Sequence, residues 1–184
     1  FITGAAGGIG EVLCNSFASA NARIVLHCNS NREKAESIMS NLPKNKHTIV
    51  QGDLSEAENI ERIFNEIDSV DVVVNNAALI ERHEIESLSF ESWKKIWKRT
   101  LDINLLGPAH IIYFASQKMK NNNGGKIINI SSRGAFRGEP SAPAYGASKA
   151  GLNSLGQSMA KALAKDKIFV YTLSLIHISE PTRR

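Results

Sequence analysis

Thr3-Gly4-Ala5-Ala6-Gly7-Gly8-Ile9-Gly10, followed by the apolar-periodic run EVLCNSFASA at 11–20, decides how this chain folds. A short apolar lead, Phe1-Ile2, enters a glycine-dense turn, and a helical pattern leaves it. That order sets the unpaired N–H groups of a helix N-terminus where a pyrophosphate can rest. Gly4 permits the tight turn, Gly8 lets backbone approach a phosphate, and Gly10 lets helix pack closely on strand; Thr3 and Ile9 flank these positions. The spacing is GxxxGxG, not GxGxxG. Such a turn can also be purely structural, so its meaning depends on the rest of the chain.

Working outward, short apolar runs alternate with helical patterns to the end of the chain. Strands are expected at 1–3, 23–28, 47–51, 71–75, 126–131 and 168–172. Helices are expected at 8–20, 31–41, 56–67, 90–120 with a break near Gly107-Pro108, and 144–166, where Leu152, Leu155, Met159 and Leu163 share one face. Strict alternation predicts βαβ units: an α/β, Rossmann-type doubly wound parallel sheet in three α/β/α layers, forming a single domain. A chain of 184 residues that is 42% apolar can bury one such core.

Composition excludes several functions. A net charge of +4 without a long basic run argues against nucleic acid as a partner. Lys94, Lys95, Lys98 and Arg99 alternate with Trp93, Ile96 and Trp97, which reads as a solvated face opposite a core stripe. No apolar run reaches the roughly 18 residues of a membrane span, and no signal-like segment precedes the turn. Cys14 and Cys28 form no CxxC and join no metal-like cluster, so a reducing, cytoplasmic setting is expected. His27, His47, His83 and His110 are scattered; His83 reads as an exposed loop residue.

Tyr145-Gly146-Ala147-Ser148-Lys149 is a YxxxK, whose i,i+4 spacing sets a phenol and an ammonium on one helix face. Ser132 closes the fifth expected strand, and Asn104 lies in LDINLLG. With TGxxxGIG, Asp53-Leu54 and Asn75-Asn76-Ala77-Ala78, these residues resemble the single-domain branch of the short-chain dehydrogenase/reductase (SDR) family across 1–172. The segments ISSRGAFRG and AYGASKAGL look most like members related to 3-oxoacyl-carrier-protein reductases and to sugar or alcohol dehydrogenases. The family motif ends in Gly where Ala78 stands.

The resemblance implies hydride transfer between a nicotinamide cofactor and a small carbonyl or alcohol. Tyr145 would be the acid/base, Lys149 its helper and a contact to the nicotinamide ribose, and Ser132 the holder of the substrate oxygen. Asn104 would place a relay water; a mid-helix kink residue is the alternative. The chemistry needs these types, because a hydride leaving or reaching a carbinol carbon requires a proton to move at its oxygen. A free phenol titrates near 10, and an ammonium about 4 Å away is worth roughly 4 kcal/mol at an effective dielectric of about 20. Asp53 and Leu54 would line the adenine pocket, although capping the next helix suits Asp53 equally. Asn76 and Ala77 would brace the sheet and leave room for the cofactor.

NADP(H) is favoured over NAD. A carboxylate at the end of the second strand would select NAD, and Cys28 stands there, followed by Asn29, Ser30, Asn31 and Arg32. Arg32 suits a phosphate or, alternatively, a solvated first helical turn. Family members are usually dimers or tetramers built on the Tyr/Lys helix, where Ala147, Ala150 and Gly151 permit close approach.

Both ends read as cut. The chain enters the glycine turn by Thr3, and 173–184 (LSLIHISEPTRR) resembles an in-frame translation of a sequencing-library adaptor, so it is expected to be non-native. The family's Pro-Gly loop, substrate lid and last strand have no counterpart after 172. Two other readings stay open: a cofactor-binding regulator without turnover, and an inert piece of the enzyme.

Overall fold

Ile2 is the pivot of the sheet. It bridges Leu26 on one side and Val74 on the other, parallel to both. It thereby joins β1 (Val25–Cys28) and β2 (Thr48–Gln51) to β3 (Val72–Asn75), β4 (Gly125–Ser132) and β5 (Ile168–Leu175). The spatial order is β2-β1-Ile2-β3-β4-β5, and every pairing is parallel. The order reverses on either side of Ile2, so a crevice opens outside the carboxyl ends of the neighbouring strands. The computed structural model describes residues 1–86 and 88–175.

Successive residues of each strand face opposite ways, which splits the core in two. Phe1, Val25, Val73 and Ile127 face one layer, built from α3 (Ala57–Glu66), α5 (Gly107–Asn121) and α7 (Pro143–Leu163). Ile2, Leu26, Val74 and Ile130 face the other, built from α1 (Gly8–Ser19) and α2 (Arg32–Asn41). In α3, Ile60, Ile63 and Phe64 recur at i, i+3 and i+4, and all three are fully buried. Each such side chain contributes roughly 1.5–3 kcal/mol through burial. This is the three-layer doubly wound sheet that the alternation predicted.

Three local expectations change. The strand expected at 1–3 is a bridge at Ile2. The long helix 90–120 divides into α4 (Phe90–Leu101) and α5, and the break is a π turn over Asp102–Leu106 in which the Gly107 N–H reaches the Asp102 carbonyl. Gly107 is required there, since a Cβ would come within 2.9 Å of the Leu54 carbonyl oxygen. β5 continues past Thr172 to Leu175, pairing Leu173 with Ile130 and Ser174 with Ser131. A parallel ladder joins main-chain groups, so side-chain pattern alone did not mark its end. Residues 176–184 of the expected tail lie outside the described residues. A short helix, α6 (Gly134–Arg137), follows β4. Among the described residues, no helix is long and apolar enough to cross a membrane.

Candidate active site

An open groove of about 730 Å³ lies at the crevice. Its floor is the glycine turn. Gly4 sits at φ +63°, a conformation that favours glycine, and a Cβ on Gly10 would come within 2.8 Å of the Ala5 Cα. Gly8 differs: a Cβ there would meet nothing within 4 Å. The fold does not need glycine at that position, and its bare backbone leaves room for a group approaching from the groove. The N-cap Gly7 makes no side-chain bond to the first turn of α1, so those amides are free of a side-chain cap. The floor therefore fits a dinucleotide pyrophosphate.

Thr3 ties the floor to the strand beside it. Its Oγ1 donates to the Val74 carbonyl (3.3 Å) and accepts the N–H groups of Asn76 and Ala77 (2.9 Å each). Asn76 returns the hold, its Nδ2 donating to the carbonyls of Thr3 (2.9 Å) and Gly4 (3.3 Å). The NNAA segment and the glycine turn are thus one hydrogen-bonded unit.

The wall after β2 carries Asp53 and Leu54. Asp53 Oδ1 accepts the N–H and hydroxyl of Ser55 (2.9 and 2.8 Å), and Oδ2 accepts from Arg99 Nη2 (2.6 Å). Arg99 also donates to the Ser55 hydroxyl. Burial pushes the Asp53 carboxyl up, but the Arg99 and Ser55 bonds outweigh it, and the net displacement is downward. The helix-cap alternative for Asp53 takes the form of a turn onto Ser55, ahead of α3, whose N-cap is Glu56. Arg99 corrects the expected solvated face: Lys94, Lys95 and Lys98 are exposed, while Arg99 turns into the groove wall.

At the end of β1, buried Cys28 and exposed Asn29 and Ser30 line the groove. Asn31 caps α2 by accepting the Lys34 N–H (3.0 Å). Arg32 pairs with Glu36 at 2.8 Å on the surface of α2 and is not among the groove-lining residues.

Tyr145 and Lys149 lie on α7, Asn104 reaches it through Ser148, and Ser132 ends the neighbouring strand β4. Lys149 is 2% exposed; its Nζ donates to the Ile130 carbonyl at 2.8 Å and lies 5.7 Å from the centre of the Tyr145 ring. Burial lowers its pKa to about 8. Ser132, two residues further along β4, accepts the Gly134 N–H at 3.2 Å. Asn104 occupies the π turn and is buried; its Oδ1 accepts the Leu79 N–H (2.7 Å) and its Nδ2 donates to Leu79 O (2.8 Å) and Ser148 Oγ (3.0 Å). Both amide hydrogens of Asn104 are committed. Ser148, which the sequence reading passed over, donates to the Tyr145 carbonyl at 2.7 Å and so links Asn104 to the Tyr145 turn.

His83 is not the exposed loop residue expected. It is 1% exposed, edge-on to Trp93 and Trp97, and its Nε2 accepts the Ala144 N–H at 3.2 Å. Its Nδ1 donates to the Glu81 carbonyl (2.7 Å). α7 has no side-chain cap of its own, so an imidazole 61 residues upstream caps the turn holding Tyr145. Replacing His83 with Ala orphans a buried N–H and should cost about 1–3 kcal/mol. Thermal unfolding checks this; an unchanged midpoint removes the capping role.

The short chain dehydrogenase family model matches residues 1–182. The chain is a short-chain dehydrogenase/reductase. Galactitol 2-dehydrogenase from Agrobacterium fabrum is 33% identical to this chain over 178 residues, covering 94% of the chain and 67% of the relative. The 2-dehydro-3-deoxy-D-gluconate 5-dehydrogenase of Formosa agariphila is 30% identical, covering 92% and 65%. Among solved structures, a metagenomic short-chain oxidoreductase in complex with NADP superposes with a TM-score of 0.85 at 25% identity, over 97% of this chain and 82% of that one. A Beutenbergia cavernae protein described as a "putative NAD(P) dependent gluconate 5-dehydrogenase", with NADP bound at low occupancy, gives 0.82 at 27% identity, over 94% and 70%. This SDR is an NAD(P)-dependent enzyme of CH–OH/C=O chemistry.

Proposed function

We propose that this SDR interconverts a carbonyl and a secondary alcohol with NADP(H), Tyr145 carrying the proton. The observation that supports it most is the buried Lys149 ammonium beside the Tyr145 ring, fixed by the Ile130 carbonyl. The chemistry a bound nicotinamide would supply is hydride donation or acceptance. Tyr145 gives its hydroxyl proton to the substrate oxygen in reduction and takes it back in oxidation. Lys149 stabilises negative charge developing on the phenolic oxygen, an attraction that low exposure strengthens. Ser132 holds the substrate oxygen against the phenol. Asn104 fixes Leu79 and Ser148, and through Ser148 the Tyr145 backbone.

Gly4, Gly8, Ile9 and Gly10 would carry the pyrophosphate, and Asp53 with Leu54 the adenine. Asn29 and Ser30 are neutral donors where NADP carries its extra phosphate, and Arg32 would join them by exchanging Glu36 for that phosphate. Cys28 leaves the end of β1 without a carboxylate to repel it. Cys28→Asp should therefore shift the NADPH-to-NADH affinity ratio toward NADH by roughly 10- to 100-fold. Fluorescence titration of both reduced cofactors reads it, and an unmoved ratio removes Cys28 from the selection.

The dehydrogenases of galactitol and of the deoxygluconate make a keto or secondary hydroxyl group on a polyol or sugar acid the first substrate class to assay. Consumption of NADPH with such a carbonyl supports the reading; cofactor binding without turnover across the panel favours a regulatory role. Exposed Ala147 and Ala150 on α7 suit packing against a second copy, and light scattering tests for a dimer or tetramer. The buried free thiols of Cys14 and Cys28 suit a reducing cytoplasm.

A further inference from the structure

His27 is a buried titratable group that the proposed chemistry leaves unused. It is the third residue of β1, 2% exposed, and its ring borders the groove. Its Nδ1 accepts the Gly4 N–H at 3.2 Å, and its Nε2 lies 2.9 Å from the Gly52 carbonyl. A carbonyl only accepts, so Nε2 carries the hydrogen and Nδ1 the lone pair; this pair of bonds exists only for the neutral ring. The main chain of the same residue adds two more bonds. His27 N–H donates to Ile2 O (3.0 Å), and Ala5 N–H donates to His27 O (2.8 Å). Gly52 directly precedes Asp53 and Leu54, so one imidazole ties the glycine turn to the opposite wall of the groove.

We propose that His27 is a positioning residue for the cofactor, whose neutral imidazole presets the Gly4 turn and the Gly52–Leu54 wall, and whose protonation weakens dinucleotide binding. The inference rests on an NAD(P) molecule occupying this groove. A protonated ring turns an N–H toward the Gly4 N–H, and two donors cannot share that contact, so the turn must move. Asp53, from the loop after β2, is the charged group acting on the ring and favours its protonated form; Arg99 stands behind that carboxylate. Cys28 follows on β1, its thiol pushed up by burial and therefore neutral. Phe1 lies edge-on at 6.1 Å and supplies apolar wall. Burial outweighs Asp53 and carries the His27 pKa below its ordinary 6.5, so the ring is neutral near pH 7 and charges in acid.

The test is calorimetric titration of NADP⁺ and NAD⁺, from about pH 8 to about pH 5, into the wild type, His27→Asn and His27→Phe. NAD⁺ lacks the extra phosphate and so controls for titration of the ligand. In the wild type the affinity for both cofactors should fall together toward the acid end as the ring takes up its proton. His27→Asn keeps an acceptor for Gly4 without a titrating group, and its acid limb should flatten; His27→Phe should bind weakly at every pH. NMR titration of the wild-type imidazole provides a measurement free of any folding defect in the variants. Saturating NADP⁺ should lower the His27 midpoint by the reciprocal factor. An acid limb that persists in His27→Asn, or a midpoint unmoved by NADP⁺, overturns the role of His27 alone. Failure of the wild type to bind either cofactor at about pH 8 sinks the occupied-groove reading and this inference with it.

Discussion

Tyr145→Phe is expected to lower kcat by roughly 10²–10⁴-fold, the usual contribution of a positioned acid/base, with cofactor affinity unchanged. The substitution removes one oxygen and keeps the ring, so the helix and the 5.7 Å approach of Lys149 persist. Steady-state rates with a reducible carbonyl, beside cofactor titration, separate the two effects. Retained turnover would move the proton transfer to another group; lost cofactor binding would make Tyr145 part of the floor instead.

Lys149→Met is expected to abolish most turnover and to change how stability depends on pH. Burial depresses the lysine from 10.5 to about 8, so at neutral pH the folded state holds a charge that it would rather shed. That displacement corresponds to about 3 kcal/mol against folding. Between pH 8 and 10.5 the unfolded chain binds the proton and the folded chain does not. Wild-type stability therefore rises through that window relative to the methionine variant, by up to about 3 kcal/mol. Denaturant unfolding of both proteins at several pH values reads the difference, in which the opposing titration of Cys14 cancels because both proteins share it. A flat difference would mean that the ammonium is well solvated in solution. The same burial that costs stability strengthens the field at Tyr145, so this position trades one for the other.

The glycine turn and the YGASK helix were legible because their bonding is local: the turn, the helix start and the i,i+4 spacing all lie within one or two turns of chain. What the sequence hid are side chains whose partners are distant main-chain groups. His27 answers to the Gly4 amide 23 residues away and His83 to the Ala144 amide 61 residues away. A backbone amide has no signature in residue type, so a histidine that serves one reads as an unassigned histidine. Arg99 was hidden differently. Its basic neighbours Lys94, Lys95 and Lys98 are solvated, and straight helical periodicity assigned it to their face.

The π turn at Asp102–Leu106 interrupts the same rod just after Arg99. One extra residue in a turn advances the helix by about 100°, so faces on either side of it fall out of phase. The rod from Phe90 to Asn121 presents Arg99 to Asp53 ahead of the turn and holds Asn104, within it, against Leu79 and Ser148. One interrupted rod thus serves two places, the Asp53–Leu54 wall of the groove and, through Ser148, the Tyr145 turn. Residues 102–106 are therefore the place where a change in length, not in side chain, would uncouple the two ends.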